Sequence, residues 1–337
     1  MARLYTSESG LANSHTHDIF QDSKGFIWIS TENGLSRFDG VKFTTFNYDR
    51  NNPNSLASNV TRTVFEDSNG KYWIGTSAGL QIFDTDYNSF TKINLEDWSV
   101  PESDQHIMSI IEIIDEETSK IVVGTSGHGI YVIDSGTLKI EHEKQNTINK
   151  LHPSEFISRL FKDSNGRLWI SSDSGGLTVI DISSGESLKD IWNPETRHMS
   201  KDTFSSFIED EMTGNIIIGT SNNGVVIFDE KEEKIRRTKG SISEQYHIMS
   251  MIPNTIAPAY GTRTYLVGIE NGGIKLFDAV TEDIKDISFP NVSFDTSKWK
   301  VHDLMEDSQG NVWVGAIQSG VMVIPKSMFG FEQVELG

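Results

Sequence analysis

Hydrophobic positions in this chain fall in short runs of about five residues, each bounded by Gly, Asn, Asp or Ser, and the runs recur at a fixed interval. Runs such as Phe26-Ile27-Trp28-Ile29-Ser30 and Gly79-Leu80-Gln81-Ile82-Phe83 are rich in β-branched and aromatic residues, which predicts strands and not helices. The clearest unit, DSKGFIWISTENGLSRFD from Asp22, returns as DSNGKYWIGTSAGLQIFD from Asp67, DSNGRLWISSDSGGLTVID from Asp163 and DSQGNVWVGAIQSGVMVIP from Asp307. Three degenerate copies start at Asp115 and Asp210 and end at Asp278. The Trp position of the seven units falls at Trp28, Trp73, Val122, Trp169, Ile217, Leu266 and Trp313, at intervals of 45, 49, 47, 48, 49 and 47 residues. Such a period, sustained over nearly the whole chain, marks a repeat architecture.

Each unit predicts four strands. Asp-Ser-Asn-Gly is hairpin chemistry, because Asp bonds the backbone two residues on and Gly takes the positive φ that closes the turn. A second reversal follows the Trp strand, so an inner strand such as 17–21, a Trp strand, a Gly-Leu strand and an outer strand such as 43–48 form an antiparallel meander. A lone meander leaves edges open and one face wet, whereas seven packed around an axis bury both faces. The expected fold is therefore all-β, a single seven-bladed β-propeller over 1–337, with blade cores near 15–50, 60–95, 106–143, 155–192, 203–238, 247–289 and 300–324. A linear solenoid suits four strands per repeat less well. Two segments compete to supply the outer strand of the last blade, 3–6 and 331–336; the first is preferred, because Leu4-Tyr5-Thr6 leads through a turn at Ser9-Gly10 into the first inner strand. Residues 329–337 then read as the start of a following domain.

Composition narrows the partners. With 29 Lys and Arg against 48 Asp and Glu the formal charge is −19, which disfavours nucleic acid and anionic membrane faces. No cysteine is present, so thiol catalysis, disulfides and Cys-ligated metals are excluded. The longest stretches without charge, 245–262 and 308–325, are too short and too interrupted by Pro or Gly to span a bilayer. The N-terminus lacks the apolar stretch of a signal peptide, which fits either a cytoplasmic protein or an excised segment.

No Gly-x-Ser-x-Gly, His-Glu-x-x-His or phosphate loop occurs, and neither a catalytic residue nor a cofactor is expected. The Asp-x-x-Gly turns at Asp22, Asp67, Asp163 and Asp307 supply too few oxygens for calcium and read as structural; the recurring Trp residues read as packing between blades. His15 and His17 share a strand face without a third ligand nearby in sequence, so no metal is assigned. Binding has a better case. In a meander blade the outer-to-inner crossovers emerge on the face opposite the Asp-x-x-Gly hairpins. These long crossovers and the strand starts that follow them carry Trp98, His106, Trp192, Arg197, His198, Trp299 and His302. Aromatic planes beside polar groups suit a saccharide; the competing reading is that these residues pack over blade ends. On the opposite face the charge-free insertion with Pro253, Ile256, Pro258 and Tyr260 is the candidate for docking a second domain or a second subunit.

The unit D-x-x-G-x-x-W-I-G/S-T-x-x-G-L-x-x-F-D, preceded in the second unit by Asn54-Ser55-Leu56-Ala57-Ser58-Asn59-Val60, resembles the two-component-regulator propeller repeat. The likeness is specific in units one, two, four and seven and weaker in units three, five and six, where Val122, Ile217 and Leu266 replace Trp. The resemblance implies a periplasmic sensor of a hybrid two-component system that detects polysaccharide fragments. It also implies a longer protein in which propellers precede an immunoglobulin-like domain, a membrane helix, a histidine kinase and a DNA-binding regulator. The leading expectation is a non-enzymatic sensor module that binds an oligosaccharide or relays its binding at a neighbouring domain. The alternatives are a protein–protein or dimerisation scaffold and a propeller-type lyase.

Overall fold

The computed structural model describes residues 2–95, 105–115, 118–141, 147–152, 154–173, 176–240, 246–289 and 296–328. Seven antiparallel sheets form seven blades. Blade 1 runs Thr16–Gln21, Ile27–Thr31, Gly34–Phe38 and Phe43–Phe46 in simple up-and-down order. The inner strands of the next six blades are Thr61–Glu66, Ile107–Asp115, Ile157–Lys162, Phe204–Glu209, Ile248–Pro253 and Val301–Glu306. These strands touch one another in a closed ring, the seventh against the first. Blade 4 has three full strands, Ile157–Lys162, Arg167–Ser172 and Gly176–Asp181; its fourth position is reduced to a single bridge between Ile180 and Ser187.

The outer strand of blade 7 comes from the N-terminus, where Arg3, Leu4 and Tyr5 pair antiparallel with Val323, Met322 and Val321. First and last blades thereby share one sheet, the strand-pairing solution to the edge problem. The competing segment 331–336 lies outside the described residues.

The repeat spacing D-x-x-G-x-x-W has a definite physical content. In blade 1, Oδ1 of Asp22 accepts the backbone N–H groups of Lys24 and Phe26 at 3.0 and 2.8 Å, while Oδ2 accepts the indole N–H of Trp28 at 2.8 Å. The same indole bond recurs from Trp73 to Asp67, Trp169 to Asp163 and Trp313 to Asp307, at 2.9, 2.8 and 2.8 Å. Both oxygens are thus committed to turn and strand donors, and the turns are structural. The ring of each Trp then enters the next interface: Trp28 packs with Ile74 and Phe83 of blade 2, and Trp313 with Ile29 and Phe38 of blade 1. Where Trp is absent from unit five, Asp210 instead accepts the phenol of Tyr265 at 3.2 Å and pairs with Arg263, both from blade 6.

Candidate functional site

The sequence-predicted ligand residues do not converge on one site. Trp98 lies outside the described residues. Trp192 is half-buried in the core between blades 4 and 5, its ring 5.9 Å from that of Phe204, and Trp299 is half-buried against the core between blades 6 and 7. Both therefore act as packing over blade ends. Arg197 is exposed and paired with Asp190 at 3.0 Å; His198 is exposed, with Nε2 3.1 Å from an Nη of Arg237. The half-buried His106 contributes its carbonyl to Ser126 N–H at 3.0 Å. Of the described members of the set, His302 alone lines the cavity described next.

On the hairpin face, Ile256 is a core residue, 1 % exposed and packed with Leu266, Val301 and Val314 between blades 6 and 7. Its apolar side chain found burial inside its own fold, so it is not part of an outward docking patch. Pro253 and Tyr260 remain exposed; the Pro258 side chain lies outside what is described.

The pore of the ring holds the site that the sequence hid. In every inner strand the pairing register slips across one residue, a β-bulge repeated seven times. The skipped residues are His17, Arg62, Met108, Ser158, Ser205, Met249 and His302, one per blade. A bulge removes a residue from the strict alternation of the sheet and re-aims its side chain, and here all seven line one cavity of about 350 Å³ on the axis. Asp173, Thr203, Ser221 and His247, from turns and crossovers, complete its mouth, so it opens on the crossover face.

The residue after each bulge has a different job in at least four blades: it accepts a backbone N–H of the next blade. Asp18 takes Val64 N–H at 2.9 Å, Ser109 takes Leu160 N–H at 3.1 Å, Ser250 takes Leu304 N–H at 3.1 Å and Asp303 takes Ile19 N–H at 2.9 Å. In blade 4 this position is Arg159, which has no acceptor to offer. Its side chain is exposed into the cavity, and its guanidinium donates no hydrogen bond among the described residues.

Burial sets the protonation states. It lowers His17 to about 4, assisted by the neighbouring Arg62 charge, and lowers His302 to about 4 as well, so both imidazoles are neutral near pH 7. Burial raises Asp18, and raises Asp303 to about 7 with repulsion from Asp18 adding to the effect. At the rim, Glu32 hydrogen-bonds His17 Nε2 at 2.7 Å, which holds its carboxyl below the usual range against the opposing effect of burial.

His15, His17 and Glu32 bring their ligand atoms within 4.8 Å of one another, a spacing open to a metal ion. The Arg62 guanidinium, however, sits 3.3 and 3.4 Å from the two His17 ring nitrogens. A fixed positive charge at that range opposes a cation, so the trio is better described as a hydrogen-bonded wall of the channel. A second cavity of about 510 Å³ lies on the hairpin face at the seam of blades 7 and 1, where Tyr5, Phe38 and Trp313 meet Arg3, Asp39, Gln309 and Asn311.

Comparison with known proteins places these features. Residues 10–33, 55–78, 152–174 and 298–318 match the two-component regulator propeller family. These are units one, two, four and seven, the copies that keep both Asp and Trp. Among solved structures, the extracellular domain of the B. thetaiotaomicron protein titled as the putative hybrid two component system BT3049 superposes with a TM-score of 0.75 at 24% identity, covering 96% of this chain and 41% of that one. That of BT4673 from the same organism gives 0.74 at 19% identity, covering 97% and 43%. The present chain therefore spans less than half of either. A streptogramin B lyase gives 0.61 at 11% identity, covering 96% of each chain, a likeness of fold alone. Among curated proteins, none matches the sequence.

Proposed function

From a chain that carries two-component-regulator propeller repeats in four of its seven blades, we propose that it is the extracytoplasmic sensor module of a two-component regulator and that it performs no chemistry itself. The family match in those four blades carries this reading. The similarity of fold to extracellular domains of such systems supports it. In this reading the ligand is an oligosaccharide, received at the crossover face, where the channel mouth offers hydroxyl, imidazole and guanidinium groups around two methionines. Binding there is relayed to domains that follow in the same chain and, through them, to a kinase beyond the membrane.

The test is transcription of the regulated genes, or phosphorylation of the full-length protein in membranes, on addition of a panel of oligosaccharides. A response to one member supports the sensor reading. No response to any member, together with product formation from a polysaccharide by this chain, overturns it in favour of an enzyme.

A further inference from the structure

Resting on that sensor reading, we propose that the mouth of the central channel recognises the carboxylate of an acidic saccharide, with Arg159 as the main contact and Arg62 as the second. In a protein with a formal charge of −19, two guanidinium groups in one cavity stand out. Arg159 occupies a position that in at least four other blades latches one blade to the next, yet as a cation it cannot accept the N–H that this latch requires. It projects into the cavity and donates to nothing among the described residues. Asp18 and Asp303, on which its charge acts, direct their oxygens elsewhere, to Val64 N–H, Ile19 N–H and the Ser250 hydroxyl. Arg62 lines the same cavity, where its guanidinium meets the His17 ring nitrogens at 3.3 and 3.4 Å and no carboxylate among the described residues. A guanidinium presents its N–H groups as a planar fork matched to a carboxylate, and such charge-assisted bonds are the strong ones.

The charge around these two arginines selects a single negative charge. Asp18 and Asp303 are held toward their protonated forms, and His17 and His302 are neutral near pH 7. Glu32, Asp173 and Glu270, the last paired with His247 at 2.7 Å, stand at the wetter rim, where solvent screens them. The interior thus keeps a small positive excess while the rim repels polyanions. One carboxylate on an otherwise neutral sugar satisfies both conditions, and the Ser158, Ser205 and Thr203 hydroxyl oxygens line the same cavity as acceptors for its ring hydroxyls, the Ser158 and Ser205 protons being given to Ser171 and to the Ile248 carbonyl. A metal ion does not, because it meets the same two guanidinium groups.

The propeller closes on itself, so the isolated chain is a fair test object. Titration calorimetry at low salt compares D-glucuronate and D-galacturonate with glucose and galactose, on the wild type, Arg159→Gln and Arg159→Lys, each checked by its melting temperature. The expected result is heat from at least one uronate and none from the neutral sugars, a loss of about tenfold or more in Arg159→Gln at unchanged melting temperature, and an intermediate affinity in Arg159→Lys, which keeps charge without the fork. Equal binding of a neutral sugar, wild-type affinity in Arg159→Gln, or no uronate binding overturns the proposal. Its failure is separable from that of the sensor reading. Full-length signalling that responds to an oligosaccharide but ignores Arg159→Gln leaves the sensor and removes this site. Arg159-dependent uronate binding without any change in signalling does the reverse.

Discussion

Asp303 in the inner strand of blade 7 accepts the backbone N–H of Ile19 in blade 1 at 2.9 Å, joining residues 284 positions apart. Its other oxygen takes the Ser250 hydroxyl at 3.0 Å, and that hydroxyl accepts Leu304 N–H in turn, so one relay ties blades 6, 7 and 1 at the axis. Asp303→Ala leaves these donors unsatisfied in a buried place and is expected to cost about 1–3 kcal/mol. Asp303→Asn keeps an acceptor and cannot ionise. Because the folded pKa of Asp303 is raised to about 7, the stability it contributes is fully present below the ordinary carboxylate pKa and is lost as pH rises through 7. The Asn variant should therefore gain on the wild type between pH 5 and pH 8 in urea denaturation; a pH-independent difference would sink the assignment.

The Asp67–Trp73 bond tests the repeat motif itself. The indole N–H reaches Asp67 Oδ2 at 2.9 Å while Oδ1 holds the turn through the N–H groups of Asn69 and Lys71, at 3.0 and 2.9 Å. Asp67→Ala should cost about 2–4 kcal/mol, since more than one buried donor loses its acceptor. Trp73→Phe removes only the indole bond and some contact area. A double-mutant cycle of the two should return a coupling of about 1–2 kcal/mol; additive effects would mean that the shared spacing in four blades is not held by this bond.

How much of this was legible in the sequence differs between frame and site. Seven strand-rich units at a near-constant interval specify blades, because strand length, turn chemistry and Trp position all repeat. The channel was hidden by the opposite circumstance: His17, Arg62, Met108, Ser158, Ser205, Met249 and His302 share a structural position but no chemistry, so no pattern of residue types marks it. A bulge in each inner strand aims them at the axis, and nothing in a single sequence announces a bulge. Trp192 and Trp299 misled for a related reason. A long crossover must be pinned to the blade end beneath it, and a half-buried Trp does that as readily as it binds a sugar. Ile256 misled because an apolar insertion folds back onto its own core when space exists between blades.

The glycines of the repeat divide by the reason each is needed. Gly176 has φ +78°, and a Cβ added there would lie 1.8 Å from the carbonyl oxygen of Ser200, where the crossover strap passes over the blade. Gly25, in the Asp-x-x-Gly turn, has φ +88° but nothing within 4 Å. Gly25→Ala should therefore cost about 1 kcal/mol, the conformational penalty alone. Gly176→Ala must also displace backbone and should cost about 3 kcal/mol or more. Comparable losses for the two in thermal or chemical denaturation would show that the strap yields freely.

His152 gives the protein an acid limit. It is 1 % exposed beneath blade 4, with Nδ1 2.8 Å from the Thr178 hydroxyl and Nε2 without a partner, and burial lowers it to about 4. With the folded value below the unfolded one, the unfolded chain binds more protons between pH 6.5 and 4, so stability is lost as pH falls through that window. His17 and His302, lowered in the same sense, steepen the loss. His152→Gln keeps a polar group toward Thr178 but does not titrate. Relative to the wild type it should gain about 2–3 kcal/mol on going from pH 7.5 to pH 4.5, the linkage accumulated over roughly two pH units below the ordinary imidazole value at about 1.36 kcal/mol each. The measurement is urea denaturation across that range, and parallel curves for the two proteins would show that His152 is reached by protons without unfolding.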